Sequence, residues 1–187
     1  MNNRQAKDTL FNTPNEHRSF TFDEQVATVF DDMINRSVPG YSAIIDMVGQ
    51  LAHRYCKNGS IIYDLGCSLG ASSLSITRHI EHNDYEIIAI DNSEAMVQVG
   101  REIALKNNLT NVEYTLGDLE NVPISSATVD IAIMSQALHH AAHPEKAVSE
   151  AYRILKRGGK LIIICLLYTS DAADDSLRVD LGGRRII

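Results

Sequence analysis

Between Ser60 and Ile164 the chain alternates short apolar runs with stretches of helical periodicity, and this alternation limits the fold more than any other feature. "SIIYDLG", "YEIIAIDNS", "VEYTLGDL", "VDIAIMSQ" and "KLIII" read as strands. The fourth is apolar almost throughout, as a strand buried on both faces should be. "ASSLSITRHI", "SEAMVQVGREIALKNN" and "HPEKAVSEAYRILKRGG" separate them as helices, the second with Ser93 as N-cap and the third closed by Gly158. Strands that alternate with helices give a doubly wound parallel α/β sheet with right-handed crossovers and helices on both faces. Ligands then bind at the carboxyl ends of the strands, where the strand order reverses.

Two further helices precede the sheet. "FDEQVATVFDDMINRS" spaces Val26, Val29, Phe30 and Met33 helically, and Pro39-Gly40 breaks the pattern. "YSAIIDMVGQLAHRY" repeats it, with Asn58-Gly59 as its expected end. The expected organisation is a loose arm over 1–20, one domain with an N-terminal helical cover over 21–164, and a tail over 165–187. The 187 residues are 44% hydrophobic and 22% charged, enough for one sizeable core. A net charge of −7 gives no basic field for nucleic acid. No run is long enough to cross a membrane, the first twenty residues lack the apolar core of a signal peptide, and three cysteines form no CxxC pair. These features point to the cytoplasm, with no membrane association and no direct nucleic-acid contact.

The chemistry concentrates in "YDLGCSLGASS", Tyr63 to Ser73, where the first strand turns into a helix. Gly66 and Gly70 allow a tight turn and close approach of backbone to a ligand. Asp64, at the strand end, can accept hydrogen bonds from an ammonium group. The spacing is not the GxGxxG of dinucleotide folds. Asp91 ends the second strand, where a carboxylate can bind both hydroxyls of a ribose. Cys67 has no paired base in the sequence and reads as a small residue filling the turn. His139, His140 and His143 cluster after the fourth strand. Loop packing, substrate contact and metal binding all remain open for them, although no carboxylate or cysteine completes a recognisable ligand set. No catalytic residue and no metal site is assigned from the sequence.

The pattern D-x-G-x-x-x-G resembles motif I of class I S-adenosylmethionine (SAM)-dependent methyltransferases, a Rossmann-like fold, with Ser68 where that motif usually carries a third Gly. In that class an acid at the position of Asp118 accepts a hydrogen bond from the adenine amino group, and the next amide, that of Leu119, lies on the ring. "ILKRGGKLIII" resembles the helix–turn–strand that follows the fourth strand. The resemblance implies SAM as cofactor or co-substrate.

"DTLFNTP", "FTFDEQVATVFDDMINRSVPGYSAIIDMVGQLAHRY", "IYDLGCSLGASSLSITRHI" and "IIAIDNSEAM", over residues ~7–96, are similar to the carboxy-S-adenosyl-L-methionine synthase family. That resemblance implies conversion of SAM and prephenate into carboxy-SAM, used to modify wobble uridine in tRNA. It implies that Tyr41 touches polar groups of the ligand, that Gly66, Cys67 and Ser68 hold its amino-acid part, and that Asp91 with Asn92 holds the ribose. Met96 and Ser135 complete the set of implied cofactor contacts, and the family would carry an Asn near Ser135. A homodimer is the candidate assembly.

Beyond Met96, "SQALHH" and "HPEKA" resemble small-molecule methyltransferases associated with ArsR-type regulators. A divergent synthase-like enzyme, two joined genes, an ordinary small-molecule methyltransferase and an inactive fragment are therefore all open readings. "CLLYTSDAAD" and "RVDLGGRRII" back-translate in frame into the two ends of a transposase-based sequencing adaptor, with "DSL" as index. Residues from about Cys165 onward are thus expected to be non-native, with the natural fold cut after its fifth strand. On that reading the family's carboxylate-binding Arg lies in a part not present, and the unpaired strand edge makes the chain poorly soluble.

Overall fold

The computed structural model describes residues 24–165. The arm over 1–20 and nearly all of the 165–187 tail lie outside the described residues, and with them the adaptor reading.

Five parallel strands form one sheet in the order β3-β2-β1-β4-β5: β1 Ser60–Leu65, β2 Tyr85–Asp91, β3 Val112–Leu116, β4 Val129–Ser135 and β5 Leu155–Ile164. The helices are α1 Glu24–Ser37, α2 Tyr41–Tyr55, α3 Ala71–His79, α4 Glu94–Lys106 and α5 Pro144–Ile154, with a single 3-10 turn at Leu138–His140. Side chains of a strand alternate between faces, so parity assigns each residue to a layer. Ile62, Ile87, Ile131, Ile133 and Ile162 point to one face and pack with Val48 and Ala52 of α2 and Ile76 of α3. Ala89 shares that face and meets Val97 and Ala104 of α4. Tyr63, Leu65, Ala132 and Met134 point to the other and pack with Ala147, Ala151 and Ile154 of α5. Both faces thus carry helices, as the alternating pattern predicts.

Helix α1 lies outside these layers. Its Val26, Ala27 and Phe30 pack against Leu69 of the β1–α3 turn and Met96 of α4. It is anchored to the rim of the site rather than to the sheet.

Three boundaries differ from expectation. α2 stops at Tyr55, because Cys56 is already extended, and Asn58-Gly59 forms the turn that follows. α5 stops at Ile154 rather than running to Gly158, and Leu155 to Gly159 belong to the irregular start of β5. Leu155 pairs with Val129 while Lys160 pairs with Ile131, so the extra residues bulge out of register. Lys156 and Arg157 therefore do not complement a helix end. Lys156 instead pairs with Asp130 at 2.8 Å, a carboxylate that also accepts from the Ile61 amide. Tertiary pairing has overridden a sequence of good helix formers.

Candidate active site

The parallel register aligns the carboxyl ends of the five strands. Asp64 is level with Ala89 and Ile133, Asp91 with Leu116, and Ser135 with Ile164. A cavity of about 600 Å³ opens there, within the usual range for small-molecule sites. Its floor is the β1–α3 turn, its near wall the ends of β2 and β3, its far wall the segment after β4, and its roof α1 with the start of α2.

The floor is a chain of backbone bonds. The amides of Gly66 and Cys67 both donate to the Ile90 carbonyl, and the Gly70 amide returns to the Cys67 carbonyl. Gly66 has φ +76°, and a Cβ there would collide with that of Ala137. Gly70 has φ +83°, and a Cβ there would enter the ring of Tyr114. Ser68 also sits in the left-handed region, at φ +51°. This explains why a glycine is usual at that point of the motif: a side chain there is strained by ~1–2 kcal/mol. The Ser68 amide donates to Asp91 at 2.8 Å and its hydroxyl to Met96 Sδ at 3.6 Å, contacts that hold the strained turn.

Asp91 is the organising side chain. One carboxylate oxygen accepts from the Ser68 amide and the other from the Ser93 amide at 2.9 Å. The Ser93 hydroxyl in turn caps α4 through the Met96 amide, as expected. Both oxygens retain further lone pairs, and the half-exposed carboxylate lines the cavity. Asp118 accepts from the Glu120 amide at 2.8 Å and remains exposed on the same rim.

Tyr41, Gly66, Cys67, Ser68, Asp91, Asn92, Asp118, Leu119 and Ser135 all line this one cavity. Asp64, Gly70 and Met96 stand immediately behind it. Asp64 is 1% exposed and accepts from the Ser73 hydroxyl at 2.7 Å. Burial pushes its carboxyl up to about 6, with the charge of Asp91 adding to the rise. Burial also raises the Cys67 thiol well above its ordinary range, which removes it as a nucleophile at neutral pH. The Tyr41 hydroxyl is held far above the usual range by burial and by Asp31 and Asp64, so it serves as a neutral donor.

The histidines separate into two roles. His139 and His140 lie against each other with ring centroids 4.0 Å apart and planes tilted by 43°, and burial lowers both, so they are neutral at pH 7. His143 is tied to the buried Glu120. Its amide meets one carboxylate oxygen at 2.8 Å and its Nδ1 the other at 3.0 Å. This clamp joins the end of β3 to the start of α5, which the sequence alone does not disclose across 23 residues. Among the described residues no His, Cys, Asp and Glu group is arranged to hold a metal ion. No helix among them is long and apolar enough to cross a membrane.

The residues fit SAM. The Ser135 hydroxyl is shut from solvent with no hydrogen-bond partner and lies in the cavity wall, so a polar ligand atom can satisfy it. Asp91 and Asp118 suit a cationic, hydroxylated nucleoside, and the two glycines let the turn that forms the floor pack against Ala137 and Tyr114.

A methyltransferase domain model matches residues 63–163. A SAM-dependent methyltransferase from Aquifex aeolicus superposes with a TM-score of 0.62 at 23% identity, over 78% of this chain and 73% of its own. The [4+2]-cyclase SpnF superposes at 0.57 with 26% identity, over 63% of this chain and 43% of its own. Fold and site together define a transferase of the class I SAM-dependent methyltransferase type. Within that class, carboxy-S-adenosyl-L-methionine synthase from Shewanella sediminis is 42% identical over 94% of this chain and 73% of its own length. The Escherichia coli enzyme of that name is 43% identical over 84% of this chain and 64% of its own. The chain belongs to the carboxy-S-adenosyl-L-methionine synthase family. It spans between 64% and 75% of the length of such relatives. A match over 94% of the chain necessarily runs on through Met96, so one relative accounts for sequence on both sides of the point where the likeness was expected to fade. Met96 itself is fully buried between α1 and the β1–α3 turn.

Proposed function

We propose that this site binds SAM and a carboxylate donor, prephenate, and joins the donor's carboxylate carbon to the methyl carbon of SAM. The observation that carries the reading is the convergence of Gly66–Ser68, Asp91, Asp118 and Ser135 on one cavity, in a chain of this family. Bound SAM supplies an activated methyl carbon next to a sulfonium. In the overall exchange that carbon loses a proton and gains a carboxylate, while the donor loses carboxylate and hydroxide to leave an aromatised keto acid, the hydroxide and proton ending as water.

The chain's residues contribute position. Asp91 orients the ribose through the lone pairs its two backbone contacts leave free. Asp118 and the Leu119 amide define the plane of the adenine. The backbone of the β1–α3 turn, with Tyr41 above it, holds the amino-acid end. Ser135 donates or accepts at the far wall. The α1–α2 roof limits access of water, which matters because solvent would otherwise return a proton to the reacting carbon before it gains the carboxylate. The product would serve tRNA wobble-uridine modification, and the enzyme would work as a homodimer on small molecules. The test is product mass: SAM and prephenate incubated with the protein should give a SAM derivative heavier by one carboxylate in place of hydrogen. Formation of S-adenosylhomocysteine with a methylated acceptor instead would refute the reading.

A further inference from the structure

The cavity is divided electrostatically. Asp91 and Asp118 lie at the ends of β2 and β3, whereas the far wall after β4 carries His139, His140, His143 and Lys146. Among the described lining residues, Lys146 is the one lysine or arginine. Burial keeps the paired imidazoles of His139 and His140 uncharged at neutral pH. His143 is committed to Glu120, each of whose carboxylate oxygens it meets once. That clamp fixes the first turn of α5 against the cavity, where the Lys146 ammonium makes no close ion pair among the described residues and lies near enough to Glu120 and Glu150 to favour their charged forms. The sequence motif "HPEKA" thus adds an exposed positive charge to the cavity wall across from Asp91 and Asp118.

We propose that Lys146 anchors the second substrate by its carboxylate, and so sets the specificity of this site for an anionic donor. The inference rests on the carboxyl-transfer reading above and goes beyond it by naming the residue. The ammonium donates to a carboxylate oxygen on the side of the cavity opposite Asp91, which places the donor facing the SAM methyl group. The neutral His140 ring, which lines the same wall, offers apolar surface to a ring-bearing acid without repelling it. In a solvent-accessible setting one charge-assisted contact of this kind corresponds to about a tenfold change in affinity.

The experiment separates binding from turnover. Prephenate is titrated calorimetrically into the full chain saturated with S-adenosylhomocysteine, for the wild type, Lys146→Gln, Lys146→Arg and the remote control Lys106→Gln. Lys146→Gln should weaken prephenate binding about tenfold, Lys146→Arg should retain most of it, and Lys106→Gln should leave it unchanged. Affinity for S-adenosylhomocysteine should be equal in all four, which a folding defect would not allow. In turnover, Lys146→Gln should raise KM for prephenate and leave KM for SAM alone. Equal prephenate affinity in the wild type and Lys146→Gln overturns the inference. Wild-type binding without carboxy-SAM formation overturns the carboxyl-transfer reading while leaving the anchor intact, and absence of prephenate binding to the wild type overturns both.

Discussion

Replacing Asp64 by Asn should make the protein more stable at neutral pH. Asp64 is almost completely buried, and its carboxyl is pushed from 3.8 to about 6. Burial is the main cause, opposed by the Ser73 hydroxyl and amide and reinforced by Asp91. Because the folded value lies above the unfolded one, the folded state holds its proton to higher pH. The stabilisation is complete below pH 3.8, falls as pH rises through about 6, and is constant above that. A difference of about two units corresponds to about 3 kcal/mol between pH 4 and pH 7. Asn keeps an oxygen to accept from Ser73 and cannot ionise. Asp64→Asn should therefore match the wild type near pH 4 and exceed it by up to about 3 kcal/mol at pH 7, or roughly 6–12 °C in Tm for a chain of this size. Subtracting the two pH profiles cancels the other groups that titrate in this window, including Glu120, Glu150 and the paired histidines. The readout is thermal and denaturant unfolding of both proteins from pH 4 to 8. SAM should bind the wild type more tightly at pH 7 than at pH 5, since a bound cation favours the Asp64 carboxylate, and Asp64→Asn should lose that dependence. A constant stability difference across the range would show that Asp64 is not perturbed, and a loss of stability at pH 7 would refute the burial argument.

Asp91→Ala removes the acceptor for the Ser68 and Ser93 amides and should cost about 2–4 kcal/mol of stability and about a hundredfold or more in SAM affinity, measured by denaturant unfolding and calorimetry. Gly70→Ala forces a side chain into φ +83° and into the Tyr114 ring, and should cost about 3 kcal/mol or more. Combining it with Tyr114→Ala should cost less than the sum of the two single changes, because the collision disappears while the backbone strain stays. Glu120→Gln weakens the clamp on His143, and the amide of His143 should exchange with solvent at least about tenfold faster in hydrogen-exchange measurements.

The sheet was legible because buried parallel strands and amphipathic helices have different hydrophobic periods, and both are written locally. The turn from Tyr63 to Ser73 was legible for a similar reason, since left-handed backbone positions call for glycine at fixed spacing. Ser68 departs from that rule and was recognisable as a departure, but only the Asp91 and Met96 contacts explain how it is tolerated. The end of α5 was not legible. Leu155 to Arg157 favour helix, yet pairing with Val129 and Asp130, distant in sequence, draws them into β5. The Glu120–His143 clamp and the place of Lys146 in the cavity wall depend equally on contacts across the chain. The histidine cluster could be seen in the sequence, but its division into a neutral, tilted pair and a clamped third ring could not.

The central claim is that this cavity brings SAM and a carboxylate donor together. The direct measurement is isotope transfer: prephenate labelled with carbon-13 in its ring carboxylate is incubated with the protein and SAM, and the nucleoside product is analysed by mass spectrometry and carbon NMR. The account predicts one labelled carboxylate bonded to the former methyl carbon, with Asp91→Ala unable to form it. An unlabelled product, or transfer of the intact methyl group to another molecule, would contradict it.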